Sequence, residues 1–123
     1  ENNTVEIARR DTGEKQVIAQ DNLTEKIKNL LIDIQQNLYN KAKKFRDEMI
    51  TKVDSYEDFK KVLDEKGGFI AAHWDGTNET EEKIKNETKA TIRCIPLDAV
   101  DEGGKCIITG KSSVKRVLFA RAY

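Results

Sequence analysis

Several residue types are scarce in this chain of 123 residues, and each scarcity removes a class of function. There is one histidine, His73, so no pair of imidazoles exists to share a metal or pass a proton along a relay. There are two cysteines, Cys94 and Cys106, too few for a disulfide scaffold. Both lie in strand-like apolar runs, which reads as reduced thiols in a core. Proline occurs once, at Pro96, so long segments run without a break. One sign of charge does not outweigh the other, with 22 basic residues facing 22 acidic ones, so the bulk charge gives no pull toward nucleic acid. No run approaches the roughly 20 apolar residues that a bilayer span needs. The first residues are polar and carry no apolar signal core. These absences predict a cytoplasmic chain with no membrane partner, cut from something longer.

The stretch from Gly68 to Leu97 carries the clearest organisation. Phe69 to Trp74 is short, apolar and aromatic, as a buried strand requires. Asp75-Gly76 supplies a turn, and Thr77 or Asn78 caps a short helix over Glu79 to Asn86. Its early carboxylates suit the positive end of the helix dipole. Thr88 to Ile95 alternates as a strand, with Ala90, Ile92 and Cys94 on one face, until Pro96 stops it. A helix this short must lie on a sheet built partly from its flanking strands.

Upstream, Thr4 to Ala8 and Gln16 to Gln20 are β-branched runs joined through Gly13, which predicts a strand-loop-strand unit. Asn22 and Glu25 fit a capping box. Leu23, Ile27, Leu30, Leu31, Ile34 and Leu38, continued by Ala42, Phe45 and Met49, recur at helical spacing. With no Gly or Pro before Val53, one long helix is expected over 22–53. Ser55 then caps a second helix bearing Tyr56, Phe59, Val62 and Leu63, and Gly67-Gly68 stops it. In the tail, Lys105 to Thr109 and Val114 to Ala120 read as a hairpin around Gly110 to Ser113 that closes the sheet. The predicted class is α+β, with alternating α/β order toward the C-terminus. It comprises a hairpin remnant (1–21), a long connecting helix (22–53) and a small mixed sheet packed with helices (54–123).

Little chemistry is visible in these residues. His73 has no partner carboxylate or nucleophile in its neighbourhood of sequence, which reads as a structural or surface histidine. Asp75, Glu79, Glu81 and Glu82 are explained by capping and dipole. The glycines form no phosphate-cradling frame. Lys41, Lys43, Lys44 and Arg46 form a short basic run that suits a solvated face. Arg9 and Arg10 are candidates for contacting an RNA backbone, or for pairing with acidic neighbours. A free-standing α/β interaction module using the long helix is one reading of such a chain.

Longer segments carry a resemblance. HWDGTNETEEKIKNETKATIRCIPL, then GGKCIITGKSS and a terminal LFARAY, resembles the C-terminal domain of the prolyl-tRNA synthetase family, in its eukaryotic and archaeal-like form. VEIARRDTGEK resembles the end of that family's anticodon-binding domain, and DNLTEKIKNLLIDIQQNLYNKAKKF the helix that follows. The resemblance implies a fragment of a class II enzyme that attaches proline to tRNA-Pro using ATP and Mg²⁺. The catalytic domain would lie upstream, so no catalytic residue and no bound cofactor is expected here. The partners implied are the catalytic and anticodon-binding domains of the same enzyme, tRNA-Pro through the whole enzyme, and a second copy in a homodimer. In many members four cysteines hold a structural zinc. Carried over, those positions fall on Asp75, Thr80, Cys106 and Ile108, and only Cys106 is retained, so no zinc is expected. Members also end in an aromatic residue whose carboxylate is directed toward the catalytic domain, and that role falls on Tyr123.

Overall fold

The computed structural model describes residues 2–122, and the chain divides into two units, 1–46 and 47–123. In the first, β1 (Thr4–Ala8) and β2 (Lys15–Ala19) form an antiparallel ribbon with Val5 opposite Ile18 and Ile7 opposite Gln16. The turn closes through the Gly13 N–H, which donates to the Arg9 carbonyl at 2.9 Å. Gly13 takes φ +76°, a value that a side chain would resist.

Most of α1 (Leu23–Glu48) belongs to the same unit. Leu23, Ile27, Leu30 and Ile34 are half-buried, whereas Leu31, Ile32, Leu38, Tyr39 and Phe45 are exposed. No α1 residue is fully buried. Asn22 does not form the expected cap. Its φ is +53°, not the extended backbone of an N-cap, and its side chain makes no capping bond among the described residues.

In the second unit the expected helix through Val53 is corrected, because α1 stops at Glu48 and β3 (Ile50–Lys52) follows. β3 pairs in parallel with β4 (Phe69–His73), Ile50 opposite Phe69, so long-range pairing overrides helical continuity. The helix end is tied by the Lys66 ammonium, which donates to the Glu48 carbonyl at 2.8 Å. Between the two strands, α2 (Tyr56–Glu65) starts at Ser55, whose hydroxyl accepts from the Asp58 N–H at 3.1 Å. Gly68 then turns the chain into β4 at φ +78°. A side chain there would run into the Met49 carbonyl, the acceptor for Phe69 N–H at 2.9 Å.

α3 (Asn78–Thr88) is capped by Thr77 and closed by Lys89 in the left-handed conformation, after which β5 (Ala90–Cys94) begins. The tail differs from the expected hairpin. β6 (Gly104–Lys105) and β7 (Ser112–Ser113) pair only with each other, in a ribbon of their own. β8 (Arg116–Arg121) instead enters the main sheet between β4 and β5, giving the order β3-β4-β8-β5. It is antiparallel to both neighbours, so β4 and β5 run in the same direction and the sheet is mixed. The apolar pattern of β8 fits a central strand, because Val117, Phe119 and Ala120 are all buried.

One face of this sheet carries Ile70, Ala72, Val117 and Phe119, with Ala90 beside them. Phe59 and Leu63 of α2 and Ile84 of α3 complete the core. Phe59 meets Phe119 edge to face, with ring centroids 5.2 Å apart, a favoured aromatic geometry. Cys94 is not a core thiol. A register shift between Ile92 and Cys94 on this edge strand leaves it exposed, while Cys106 is buried. Phe119→Ala in this chain is expected to cost about 3–5 kcal/mol in urea unfolding. Phe45→Ala, on the exposed helix face, should change stability by no more than about 0.5 kcal/mol.

Candidate functional site

The densest polar cluster lies where β4 hands over to α3. Asp75 follows the strand, and its carboxylate collects four donors. Oδ1 accepts from the Thr77 N–H at 3.1 Å and the Thr77 hydroxyl at 2.8 Å. Oδ2 accepts from the hydroxyls of Thr80 at 3.0 Å and Thr109 at 2.9 Å. Thr77 is placed by its role as N-cap, and Thr80 sits one turn into the helix. Thr109 arrives from the loop after β6, far along the chain. Burial alone would push the Asp75 carboxyl up, but these donors outweigh it and hold it below its ordinary value.

The structure brings two of the four carried-over zinc positions together, Asp75 and Thr80, in this knot. Cys106 is buried in a tight turn in which its N–H donates to the Lys111 carbonyl and its own carbonyl accepts from Gly110 N–H. Ile108 packs its hydrocarbon against the core, and the neighbouring Thr109 is the residue that reaches Asp75. One saturated carboxylate, one hydroxyl, one thiol and one alkyl group do not make a zinc site. Among the described residues, no group of three or more His, Cys, Asp and Glu side chains is placed to hold a metal ion.

His73, at the end of β4, is 2% exposed. Its Nδ1 lies 3.1 Å from the Ser113 hydroxyl, which itself donates to the Lys115 carbonyl at 3.0 Å. The hydroxyl proton is therefore used, and the ring must donate from Nδ1. That leaves Nε2 as a bare acceptor, and it is the one buried side-chain polar atom without a partner among the described residues. It faces Gly104, where any side chain would collide with the ring. The imidazole is packed in the interior against a hydroxyl and a glycine, and among the described residues no carboxylate is hydrogen-bonded to it.

The two candidate RNA-contacting arginines part company. Arg9 is committed within its own unit, to Asp11 at 2.7 and 3.0 Å and to Asp33 at 2.5 Å. The guanidinium holds the Asp11 carboxyl well below the usual carboxylate range. Asn37 also donates to Asp11, at 2.7 Å, so this cluster ties α1 to the hairpin turn. Arg10 is exposed. Tyr123 lies outside the described residues.

Two arginines of β8 carry more of the local order than the sequence announces. Arg116 donates to Glu102 at 2.9 Å, to the Val53 carbonyl at 2.7 Å and to Asp54 at 2.5 Å. Arg121 donates to the Thr88 carbonyl at the end of α3, at 2.7 Å, and pairs with Asp64 of α2 at 2.8 Å. A cation at a helix C-terminus complements the dipole. The spacing Asp75, Thr77, Thr80 is a legible turn-and-cap signal, whereas nothing local marks Thr109, Arg116 or Arg121.

Comparison with known proteins gives one consistent answer. Residues 56–123 match the family model described as "Prolyl-tRNA synthetase, C-terminal". The chain is 61% identical to a proline–tRNA ligase of Phocaeicola vulgatus and 59% identical to one of Christiangramia forsetii, covering 100% of this chain and 25% of each of those proteins. A crystal structure of prolyl-tRNA synthetase from Cryptosporidium parvum, complexed with halofuginone and AMPPNP, superposes with a TM-score of 0.92 at 32% identity. That match covers 99% of this chain and 26% of the other. The chain thus spans about a quarter of the length of the relatives it matches.

The Asp75 knot generates a prediction about acid. A carboxylate whose folded pKa is depressed adds stability above its unfolded value, and loses it as pH falls through the folded one. Unfolding of this chain should therefore show an Asp75 contribution that is present at neutral pH and fades below the ordinary carboxylate value of 3.8. Asp75→Asn should lower stability at pH 7 and flatten that part of the acid limb. An identical pH profile for the variant would show that the knot does not hold the turn.

Proposed function

We propose, given that this chain belongs to the prolyl-tRNA synthetase family and matches its C-terminal part, that it supports a proline–tRNA ligase without performing the chemistry. The parent enzyme would activate proline with ATP and Mg²⁺ and transfer it to tRNA-Pro, in the cytoplasm and as a homodimer. The observation that carries this reading is the end-to-end match of the chain to a quarter of each named ligase. The cluster around Asp75 agrees with it, being a carboxylate spent on threonines that fix a turn. Among the described residues no helix is long and apolar enough to cross a membrane. No observation favours a free-standing interaction module.

Within that enzyme the exposed apolar face of α1, with Leu31, Leu38 and Phe45 at seven-residue spacing, suits contact with the anticodon-binding and catalytic domains. Arg10 is the better of the two arginines for a phosphate contact, since Arg9 is already paired. Such a contact positions RNA and does not read its sequence. Tyr123 would direct its carboxylate toward the catalytic domain. The support for this is that β8 is paired with β4 through Phe119 and with β5 through Arg121, so the chain leaves the sheet from a fixed point. These residues would bind no zinc, because Asp75 and Thr80 already satisfy each other and Ile108 has no donor atom.

Removing residues 47–123 from the full-length ligase is expected to reduce aminoacylation at least tenfold, and unchanged kinetics would overturn the supporting role. Deleting Tyr123 alone should lower proline activation while leaving the KM for tRNA unchanged. Equal activation rates with and without it would reject the docking of the terminus. Elemental analysis of the purified chain should find far less than one zinc per molecule; a stoichiometric amount would contradict the hydrogen-bonded turn.

A further inference from the structure

The sequence holds one Asp-Gly pair, Asp75-Gly76, and no Asn-Gly pair. Asp-Gly is the aspartyl junction most open to rearrangement, because a glycine nitrogen meets no side chain on its way to the neighbouring carboxyl carbon. The fold requires both residues here. Gly76 takes φ +80°, which a side chain would resist, and Asp75 is the acceptor for the four donors of the turn. Gly76 is exposed with open space where a side chain would stand, so water reaches the junction. The pair that closes the turn is thus also the pair most prone to rearrange.

The rearrangement needs no reactant but water. The Gly76 nitrogen attacks Cγ of Asp75, and the new N–C bond forms as the carboxyl C–OH bond breaks. The amide proton and the hydroxyl leave together as one water. A second water then opens the five-membered imide at the main-chain carbonyl of Asp75, and the product carries its backbone through Cβ and Cγ. The side-chain acceptor shared by Thr77, Thr80 and Thr109 is consumed. Two conditions must be met first: the carboxyl must be protonated, and its plane must turn to present Cγ to the nitrogen. The knot opposes both. Burial favours the protonated form, but the donors outweigh it and keep the group ionised at neutral pH. Bonds to both oxygens also fix the side-chain torsions.

Thr77 and Thr80 belong to the turn and to the helix it starts, whereas Thr109 comes from a lighter element. It is exposed in the loop between β6 and β7, and that ribbon pairs only with itself. The Ile107 N–H donates to the His73 carbonyl at 3.2 Å, and the His73 ring meets Ser113, which ties the ribbon to the end of β4. Short, exposed elements with few ladder bonds open locally while the rest of a fold stays closed. We propose that Asp75 is the site at which this protein undergoes aspartate isomerisation, and that the Thr109 hydroxyl governs the rate. The reaction proceeds from the open state in which the ribbon has let go of the carboxylate.

The test is to age the full-length ligase at neutral pH and count isoaspartate at position 75 by mass spectrometry of the tryptic peptide 67–83. A synthetic peptide of that sequence gives the unprotected rate. The native ligase is expected to react far more slowly than the peptide. Thr109→Val should raise the native rate about tenfold, the scale of one hydrogen bond to a charged group. Thr109→Ser, which keeps the hydroxyl, should retain the wild-type rate. A valine variant as slow as the wild type would overturn the proposal, as would a native rate equal to that of the peptide. So would a rise shared by the serine and valine variants that tracks a lowered urea midpoint, since unfolding of the whole, and not one bond, would then set the rate.

Discussion

The constraint on which the second unit depends is that its last strand lies inside its sheet. β8 is hydrogen-bonded to β4 on one side and β5 on the other, and it inserts Phe119 against Phe59 of α2. Without β8, β4 and β5 would share no partner, and the helices would cover a sheet split in two. Val117 and Phe119 of that strand share one core with Phe59 and Leu63 of α2 and Ile84 of α3. Its two arginines extend the same role in polar terms, Arg116 reaching the carbonyl of Val53 and Arg121 the end of α3. Pairing that spans so much of the chain makes loop closure a cost met before the core forms, and the topology is intrinsically slower to fold than a local one.

Around this frame the polar groups are arranged for fit rather than reaction. Asp75 is saturated by donors from the cap, the first helical turn and a distant loop, and His73 is locked into one tautomer by a hydroxyl whose proton is already taken. Asp75, so fully used, has no free acceptor for a substrate, and the unpaired Nε2 of His73 is buried against Gly104. In the proposed role, this is the physical sense in which a domain serves an active centre that it does not contain. Here the turn is closed by neutral hydroxyls on a carboxylate that stays ionised at neutral pH.

Much of the second unit was legible because its signals are local. The stretch from Gly68 to Cys94 announces itself through paired glycines, a Thr cap and an alternating strand, and each element appears within a residue or two of where the pattern puts it. What was not legible depended on partners remote in sequence. Nothing between Leu23 and Val53 breaks a helix, and only the pairing of Ile50 with Phe69 converts its end to a strand. β8 has the composition of a hairpin strand, and its choice of β4 and β5 over residues 105–109 is a tertiary decision. Cys94 alternates correctly until a register shift turns it outward. For the site, Asp75 and Thr80 were named as positions in a metal pattern, but the donor that completes the cluster, Thr109, lies 34 residues from Asp75.

The knot at Asp75 has one more consequence, for the chemical weathering of the protein. Its bonds join carboxylate, hydroxyl and amide groups only, and none of these is a target for peroxide or something a chelator can extract. A turn tied in this way keeps its shape through oxidative stress and through metal starvation alike.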